Sequence, residues 1–361
     1  MNGADKSTLD TPALLIDLDV LDTNIAHVAQ TCRSNGVNWR PHFKGHKTLE
    51  IAKKQLAAGA IGITCAKLGE VEILAAAGIR DILIANQIVG AAKIERLMAV
   101  LGTADPIVSV DSRENIAALA EATRRAGKTL RLVMEVNTGM NRAGVEPGEP
   151  AVALAAEIEK HPSLRLVGVM GWEAHATSIA DPVIKEKTVA TAIGLLTMTA
   201  DQCRKAGHDM QIVSCGGTGT FLYCVKQPGV TEVQVGGAVL SDEHYRGHHN
   251  VPMPVSLTLL ATVTSRPAPT RIILDAGRKS MSGDAAIPRP LNVPPIKDVW
   301  LSAEHVRLEL EAPSDTPRIG DKVEFVLGYT DTTVHLHEEI VALRKGQVEA
   351  VWKVAGRGKI K

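Results

Sequence analysis

The sequence predicts an α/β protein: a (β/α)8 TIM-type barrel followed by a C-terminal all-β domain. Short apolar runs alternate with longer segments of helical period from Ala13 to about Val235. Eight such runs precede residue 216, and eight is the number of strands in this barrel. After about Tyr245, prolines crowd together and only short strand-like runs separated by turns remain. The predicted domains are therefore residues 1–245 and 246–361.

The strand-like runs are taken as barrel strands in chain order, and the segments between them as helices. Residues 112–126 illustrate the helical pattern, since apolar residues lie three and four apart and Ser112 is a good N-cap. A ninth short run, residues 232–237, either closes the barrel or leads out of it. The eight runs are residues 13–19, 37–42, 61–66, 81–86, 107–110, 130–137, 164–170 and 211–215.

Composition excludes several classes of protein. Forty basic residues balance forty acidic ones, so no net charge attracts nucleic acid or anionic lipid. No uninterrupted apolar stretch approaches the 18 or so residues of a membrane span, and the first residues lack an apolar leader, which predicts the cytoplasm. Five cysteines without a CxxC pair argue for reduced thiols. A small-molecule enzyme or binding module is favoured.

The segment RPHFKGHKT, residues 40–48, ends the second predicted strand, at the edge where such a barrel builds its active site. Lys44 lies among the cations Arg40, His42 and His46. Neighbouring positive charge disfavours the charged amine and frees it for Schiff-base chemistry. The alternative is a basic strand end that is only solvated.

Two further loops are predicted at the same barrel mouth. The segment SCGGTGT, residues 214–220, offers backbone N–H groups and hydroxyls suited to a phosphate, although a plain tight turn has the same composition. The segment NTGMNRAG, residues 137–144, carries Arg142, which could bind a phenolate oxygen or a carboxylate. Its alternative is an ordinary surface arginine.

Together these motifs resemble one enzyme family. HFKGHK at 42–47, TGMNRAG, the glycine loop, EVQVGG and GYTDTTVHLH resemble the fold-type III pyridoxal-phosphate enzymes. Within them the chain is similar to the D-threonine aldolase and D-serine dehydratase family, which shares its plan with alanine racemase. The resemblance extends from residues 11–25 to residues 352–361.

The resemblance implies pyridoxal 5'-phosphate as cofactor, with Lys44 as the Schiff-base lysine. It places Arg142 near the phenolic oxygen, Gln234 near the pyridine ring, and His42 and Tyr245 along the pocket. The implied phosphate cup consists of Ser214, Gly216, Gly217, Thr218, Gly219 and Thr220, with Gly236 beside it.

The resemblance also implies a divalent metal ion (Mn, Mg, Zn or Co) as a second cofactor. The family holds it through a histidine and an aspartate or cysteine two residues later, and these positions fall on Tyr329 and Asp331. If residues 329–337 are extended, period two puts Asp331, His335 and His337 on one face. We expect an ion on Asp331 and at least one of these histidines. The alternative is a metal-free site in which Tyr329 hydrogen-bonds the substrate hydroxyl.

The expected activity is that of a pyridoxal-phosphate lyase acting on D-configured β-hydroxy amino acids. Retro-aldol cleavage would yield glycine and an aldehyde, with His175, which matches a dehydratase histidine, as the base. The alternatives are a D-serine or D-threonine dehydratase giving keto acid and ammonia, a racemase, and a non-catalytic pyridoxal-phosphate carrier. The expected partner is an amino acid substrate, with neither nucleic acid nor membrane, in a head-to-tail homodimer.

Overall fold

The computed structural model describes residues 3–361; the first two residues of the predicted N-terminal domain lie outside it. The chain forms two compact units. The β unit consists of the described part of residues 1–26, with 45–50 and 237–357, and the barrel unit consists of 27–44, 51–236 and 358–361. These units interleave along the chain, whereas the predicted domains are continuous, and the predicted boundary stays a prediction.

The first apolar run is not a barrel strand, which corrects the sequence prediction. It forms β1 (Ala13–Asp17), which pairs antiparallel with Leu257–Ala268 and parallel with Glu339–Arg344 in the β unit. Its residue Leu15 packs in an apolar cluster with Leu260 and Val341. A short apolar run is equally compatible with either sheet, so periodicity could not assign it.

The barrel unit contains eight parallel strands, and the barrel prediction is confirmed. The ninth run supplies the missing strand, and a bridge between His42 and Thr64 joins the two ends of the sheet. Side chains of the central strands fill the core. The strands are β2 (Asn38–Trp39), β3 (Ile63–Cys65), β4 (Asp81–Gln87), β5 (Asp105–Val110), β6 (Leu130–Glu135), β7 (Leu164–Met170), β8 (Ile212–Cys215) and β9 (Glu232–Val233).

Helices follow most of these strands, as the alternating pattern predicted. Ser112 caps α5 (Arg113–Ala126) by accepting a hydrogen bond from the Asn115 N–H, and Gly127 ends that helix in the left-handed conformation. No described helix is long and apolar enough to cross a membrane. The helices are α1 (Leu18–Ser34), α2 (Leu49–Ala57), α3 (Leu68–Ala76), α4 (Ala91–Val100), α5 (Arg113–Ala126), α6 (Glu149–Glu159), α7 (Pro182–Lys205) and α8 (Phe221–Cys224).

The β unit is built on a largely antiparallel sheet, and the prediction of a β-rich C-terminal region is confirmed. Besides β1, its strands are β10 (Leu257–Ala268), β11 (Arg271–Leu274), β12 (Arg289–Pro290), β13 (Ile296–Leu301), β14 (Val306–Leu310), β15 (Lys322–Val326), β16 (Glu339–Arg344) and β17 (Gln347–Lys353). The main path runs β13-β14-β11-β10-β1-β16-β17, and β15 pairs with β10 and β12.

Candidate active site

Lys44 lies just beyond β2, in the short 3-10 turn Phe43–Gly45. Its backbone N–H donates to His42 Nδ1 at 3.3 Å, which ties the lysine to the neighbouring histidine. Its Nζ lies 5.9 Å from the centre of the Trp172 ring. The lysine therefore stands at a strand end with an aromatic face beside its amine.

Trp172 links three of the predicted parts of the site. The Arg142 guanidinium lies 5.0 Å from the centre of its ring, and the ring also faces Lys44. A Cβ added to Gly217 would come within 2.9 Å of the indole Nε1. The lysine, the arginine and the glycine loop thus converge on one indole. The sequence pattern assigns Trp172 no specific role, although a tryptophan directly after β7 in a chain with few aromatic residues is a signal for one.

The buried carboxylate of Glu135 lies beside the Arg142 guanidinium and orients it. Its Nη2 lies 3.6 Å from Glu135 Oε1. The other Glu135 oxygen accepts hydrogen bonds from Gln87 Nε2 at 2.7 Å and Ser109 Oγ at 3.4 Å. Arg142 and Trp172 line a small pocket with Asn137 and Thr138. Sequence reasoning missed Glu135 and Gln87, because nothing in the pattern distinguishes them from ordinary strand-end polar residues.

Arg40 does not act as a free cation beside Lys44, which corrects that part of the sequence argument. Its guanidinium is buried and pairs with Glu232 at 3.0 Å and with Asp81 at 3.2 Å. These carboxylates raise the pKa of Arg40 against the opposing effect of burial. Its charge is compensated within the barrel, because Glu232 lies on β9, which pairs with β2 in a register that the sequence does not reveal.

The glycine loop after β8 presents free donors at its tip. Within the described residues, the backbone N–H groups of Thr218 and Gly219 donate to no protein acceptor. Ser214 Oγ accepts a hydrogen bond from Gln234 Nε2 at 2.9 Å, which joins two predicted cofactor contacts. Unpaired N–H groups in a glycine turn suit a phosphate.

The base of the loop is held by Glu173, a fully buried residue that the sequence pattern does not single out. Its carboxylate accepts hydrogen bonds from Thr220 Oγ at 2.5 Å and from the Gly216 N–H at 3.4 Å. These two groups, predicted to face the phosphate, are thus bonded to the protein. Cys224 Sγ also donates to Glu173, and burial raises the pKa of this thiol well above its usual range.

Glu173, Cys215 and Cys224 place three potential metal-ligand atoms within 4.8 Å of one another. The carboxylate already satisfies the Thr220 hydroxyl and the Cys224 thiol by hydrogen bonding. These hydrogen bonds explain why the three side chains lie together, and the hydrogen-bonded cluster stabilises the loop.

We expect Glu173→Ala to loosen the loop. The Thr220 hydroxyl and the Gly216 N–H would lose their buried acceptor, at a cost of about 1–3 kcal/mol. Thermal unfolding of the apoprotein and titration of its affinity for pyridoxal phosphate measure the effect. Glu173→Gln is the matched control, since it keeps one acceptor oxygen and should lose less. Equal behaviour of the two variants and the wild type would contradict this role.

His175 lies in a short 3-10 turn, Ala174–Ala176, after β7. Its exposed ring rests against the loop that carries Arg142: a Cβ added to Gly139 would come within 3.2 Å of the ring. His42 packs against the backbone of Gly236, where no Cβ could be accommodated. Both histidines therefore lie in the segments that follow barrel strands, His42 after β2 and His175 after β7.

The β unit brings together three of the other predicted residues. The Tyr245 hydroxyl donates to Asp331 Oδ1 at 3.2 Å and shares a hydrogen bond with Tyr329. The Tyr329 ring also lies edge-on to His244, with ring centres 4.7 Å apart. Burial and the nearby carboxylate raise the pKa of Tyr245 well above its usual range, so this phenol is a hydrogen-bond donor at neutral pH.

The buried carboxylate of Asp242 fixes both segments of this group. It accepts hydrogen bonds from the Tyr245 N–H at 2.7 Å and from the N–H and hydroxyl of Thr330, each at 2.8 Å. Burial raises the pKa of Asp242 to about 7 despite these bonds.

The raised pKa of Asp242 predicts a pH dependence of stability. Its pKa of about 7 in the folded protein lies above the ordinary aspartate value of 3.8, so its favourable contribution to stability is present below pH 3.8 and is lost as the pH rises through 7. About three pKa units correspond to roughly 4 kcal/mol. Chemical unfolding of the wild type and Asp242→Asn at pH 5 and pH 8 isolates this contribution. We expect the wild type to lose more stability over that range than the variant, and parallel losses would contradict the assignment.

The predicted common face of Asp331, His335 and His337 is wrong. The chain turns after Tyr329 and forms a 3-10 helix, Val334–Leu336, so residues 329–337 are not extended and period two does not apply. His337 Nε2 bonds the Ser280 carbonyl at 2.6 Å, while His335 is exposed. Among the described residues these three side chains do not form a set of converging donors.

The chain resembles known proteins over its whole length. The profile of the alanine racemase N-terminal domain matches residues 16–243, and that of a putative serine dehydratase domain matches 256–343. D-Threonine aldolase from Arthrobacter sp. is 32% identical over 99% of this chain and 95% of its own. The chain belongs to the D-threonine aldolase family of fold-type III pyridoxal-phosphate enzymes.

Other members of the family support this assignment. The crystal structure of D-threonine aldolase from Filomicrobium marinum superposes with a TM-score of 0.96 at 33% identity, covering 100% of this chain and 99% of that one. D-threo-3-Hydroxyaspartate dehydratase from Delftia sp. is 34% identical over 78% of this chain and 75% of its own. The predictions of the family, of a pyridoxal-phosphate lyase and of its cofactor are confirmed.

The residues present fit this family's cofactor. Lys44 offers a primary amine, and Trp172 offers a flat ring beside it. Arg142 offers a guanidinium, and Thr218 and Gly219 offer two N–H donors. The absence of a side chain at Gly217 lets the loop pack directly against Trp172.

Proposed function

We propose that this protein is a D-β-hydroxy amino acid aldolase, which cleaves the Cα–Cβ bond of a D-threonine-like substrate to glycine and an aldehyde. The full-length similarity to D-threonine aldolases carries this proposal. The convergence of Lys44, Arg142 and the glycine loop on Trp172 supports the same site in this chain.

Each barrel residue has a proposed role. Lys44 Nζ would hold the cofactor, and the Thr218 and Gly219 N–H groups would bind its phosphate. Arg142, oriented by Glu135, would bind the phenolic oxygen, and Gln234, held by its bond to Ser214, would lie near the pyridine ring. Pyridoxal phosphate, when bound, supplies an electron sink for the negative charge that develops at Cα. Trp172 gives this flat group an apolar wall and excludes water from it.

His175 is proposed as the base. It accepts the proton of the β-hydroxyl group while the Cα–Cβ bond breaks and the β-carbon becomes an aldehyde. Its exposure leaves the ring nitrogens accessible to substrate. We also propose a head-to-tail homodimer in the cytoplasm.

A panel of D- and L-threonine, D-allo-threonine, D-phenylserine and D-3-hydroxyaspartate tests the proposal. We expect glycine and the matching aldehyde from D-isomers only. Keto acid and ammonia would instead support the dehydratase, which the similarity to the Delftia enzyme favours as the second candidate. Release of glycine from L-isomers alone would contradict the proposed stereochemistry.

A further inference from the structure

His244 carries a buried ring nitrogen that no protein group uses. Among the described residues, its Nδ1 is buried and has no hydrogen-bond partner. The ring also donates a hydrogen bond to the Ala285 backbone carbonyl, and because Nδ1 takes no part in hydrogen bonding, Nε2 makes this bond. An imidazole that keeps its proton on Nε2 has its lone pair on Nδ1. Metal-bound histidines are commonly held in this way, with one nitrogen on a backbone carbonyl and the other on the ion.

A backbone hydrogen bond holds His244 against the segment that carries Asp331. The His244 N–H donates to the Gly328 carbonyl at 3.0 Å. The His244 ring lies edge-on to that of Tyr329, two residues before Asp331, with ring centres 4.7 Å apart. The Asp331 carboxylate is close enough to the imidazole to interact with it electrostatically. All of these residues belong to the β unit, so the fold of this unit alone brings the imidazole and the carboxylate together.

Asp331 supplies the second kind of ligand. Its Oδ1 accepts the Tyr245 hydroxyl at 3.2 Å, and this bond orients the carboxylate. A carboxylate has two oxygens with several acceptor positions, so it can keep this bond and bind an ion as well. Carboxylates that bind metals are themselves commonly hydrogen-bonded in this way. An imidazole nitrogen with a carboxylate oxygen suits a first-row transition ion such as Mn²⁺ or Zn²⁺.

The other candidate ligands fit such an ion less well. Tyr329 stands where the resemblance implies a histidine, and a phenol with a reference pKa of about 10 is a poor ligand at neutral pH. His337 bonds the Ser280 carbonyl, and His335 is exposed. These observations favour His244 as the imidazole ligand.

We propose that the β unit binds one divalent transition-metal ion through His244 Nδ1 and the Asp331 carboxylate. The Ala285 carbonyl fixes the imidazole, and Tyr245 orients the carboxylate. Water completes the coordination, so the loss of either side chain removes half of the protein's donors. The site is defined by metal binding alone and does not depend on the proposed aldolase reaction.

Calorimetric titration of the holoenzyme with Mn²⁺, after a chelator has removed bound metal, tests the site without substrate. We expect one equivalent of Mn²⁺ per wild-type chain. His244→Ala and Asp331→Asn should each weaken Mn²⁺ binding at least about tenfold, because each removes a ligand. His248→Ala and His335→Ala are the matched controls, since both are exposed histidines of the same unit and the His248 ring centre lies 5.2 Å from that of His244. The controls should leave the affinity unchanged, and thermal unfolding checks that each variant folds.

Pulsed EPR of the Mn²⁺-loaded wild type is a second measurement, because the nitrogen of a bound imidazole couples to the electron spin. We expect this coupling in the wild type and its loss in His244→Gln, which keeps a polar side chain and serves if His244→Ala does not fold. Absence of Mn²⁺ binding or of nitrogen coupling in the wild type would overturn the inference. So would unchanged affinity in both His244 variants, or a loss of binding in His248→Ala or His335→Ala alone. Neither measurement uses substrate, so a failure of the proposed aldolase reaction would leave the result unaltered.

Discussion

Lys44→Ala should abolish covalent attachment of pyridoxal phosphate and lower the turnover of D-threonine at least about a thousandfold. Lys44 lies at the end of β2 with its Nζ 5.9 Å from the Trp172 ring that Arg142 and the glycine loop share. Borohydride reduces a lysine–cofactor imine to a stable amine, so mass spectrometry of the reduced protein identifies the lysine. We expect one labelled peptide in the wild type, containing Lys44, and none in the variant.

Lys67→Ala is the matched control for this substitution. Lys67 precedes α3, just after another barrel strand, and has no assigned role. The variant should retain the label on Lys44 and most of the activity. Label on Lys47 or Lys67 of the wild type would show that the assignment of Lys44 is wrong.

Gly217→Val should weaken binding of pyridoxal phosphate about 10–100-fold while the protein still folds. A Cβ at this position would come within 2.9 Å of Trp172 Nε1, so the valine would displace the indole or the loop. Overpacking of this kind costs about 1–3 kcal/mol, and each 1.4 kcal/mol corresponds to a factor of ten in affinity. Absorbance titration of the apoprotein measures the affinity, and thermal unfolding checks the fold.

Gly194→Ala, in α7, is the control because an added Cβ there meets no atom within 4 Å. It should leave cofactor affinity unchanged. Undiminished affinity in Gly217→Val would remove this loop from the cofactor site.

Most of the elements that position the candidate site could be located from the sequence, because each segment that carries candidate site residues follows an apolar run. Lys44 follows β2, Arg142 follows β6 and the glycine loop follows β8, so the parallel strand pattern alone places them at one edge. The same pattern misassigned β1, since a buried strand of five residues has the same period in either sheet.

Features that depend on distant partners could not be predicted. The pairing of Arg40 with Glu232 joins residues 192 positions apart, and Glu173 is bonded to a loop more than forty residues later. The histidines at 335 and 337 were misplaced because the chain turns after Tyr329, and the turn contains no glycine or proline that would have signalled it.

Incubation of the enzyme with D-threonine in D₂O, followed by NMR, tests the proposed reaction most directly. Cleavage of the Cα–Cβ bond leaves a Cα that takes one deuteron from solvent, so the account predicts singly deuterated glycine together with acetaldehyde. A dehydratase would yield 2-oxobutanoate deuterated at C3 and ammonia, and a racemase would return threonine deuterated at Cα. Either of these outcomes, or unchanged D-threonine, would contradict the assignment as an aldolase.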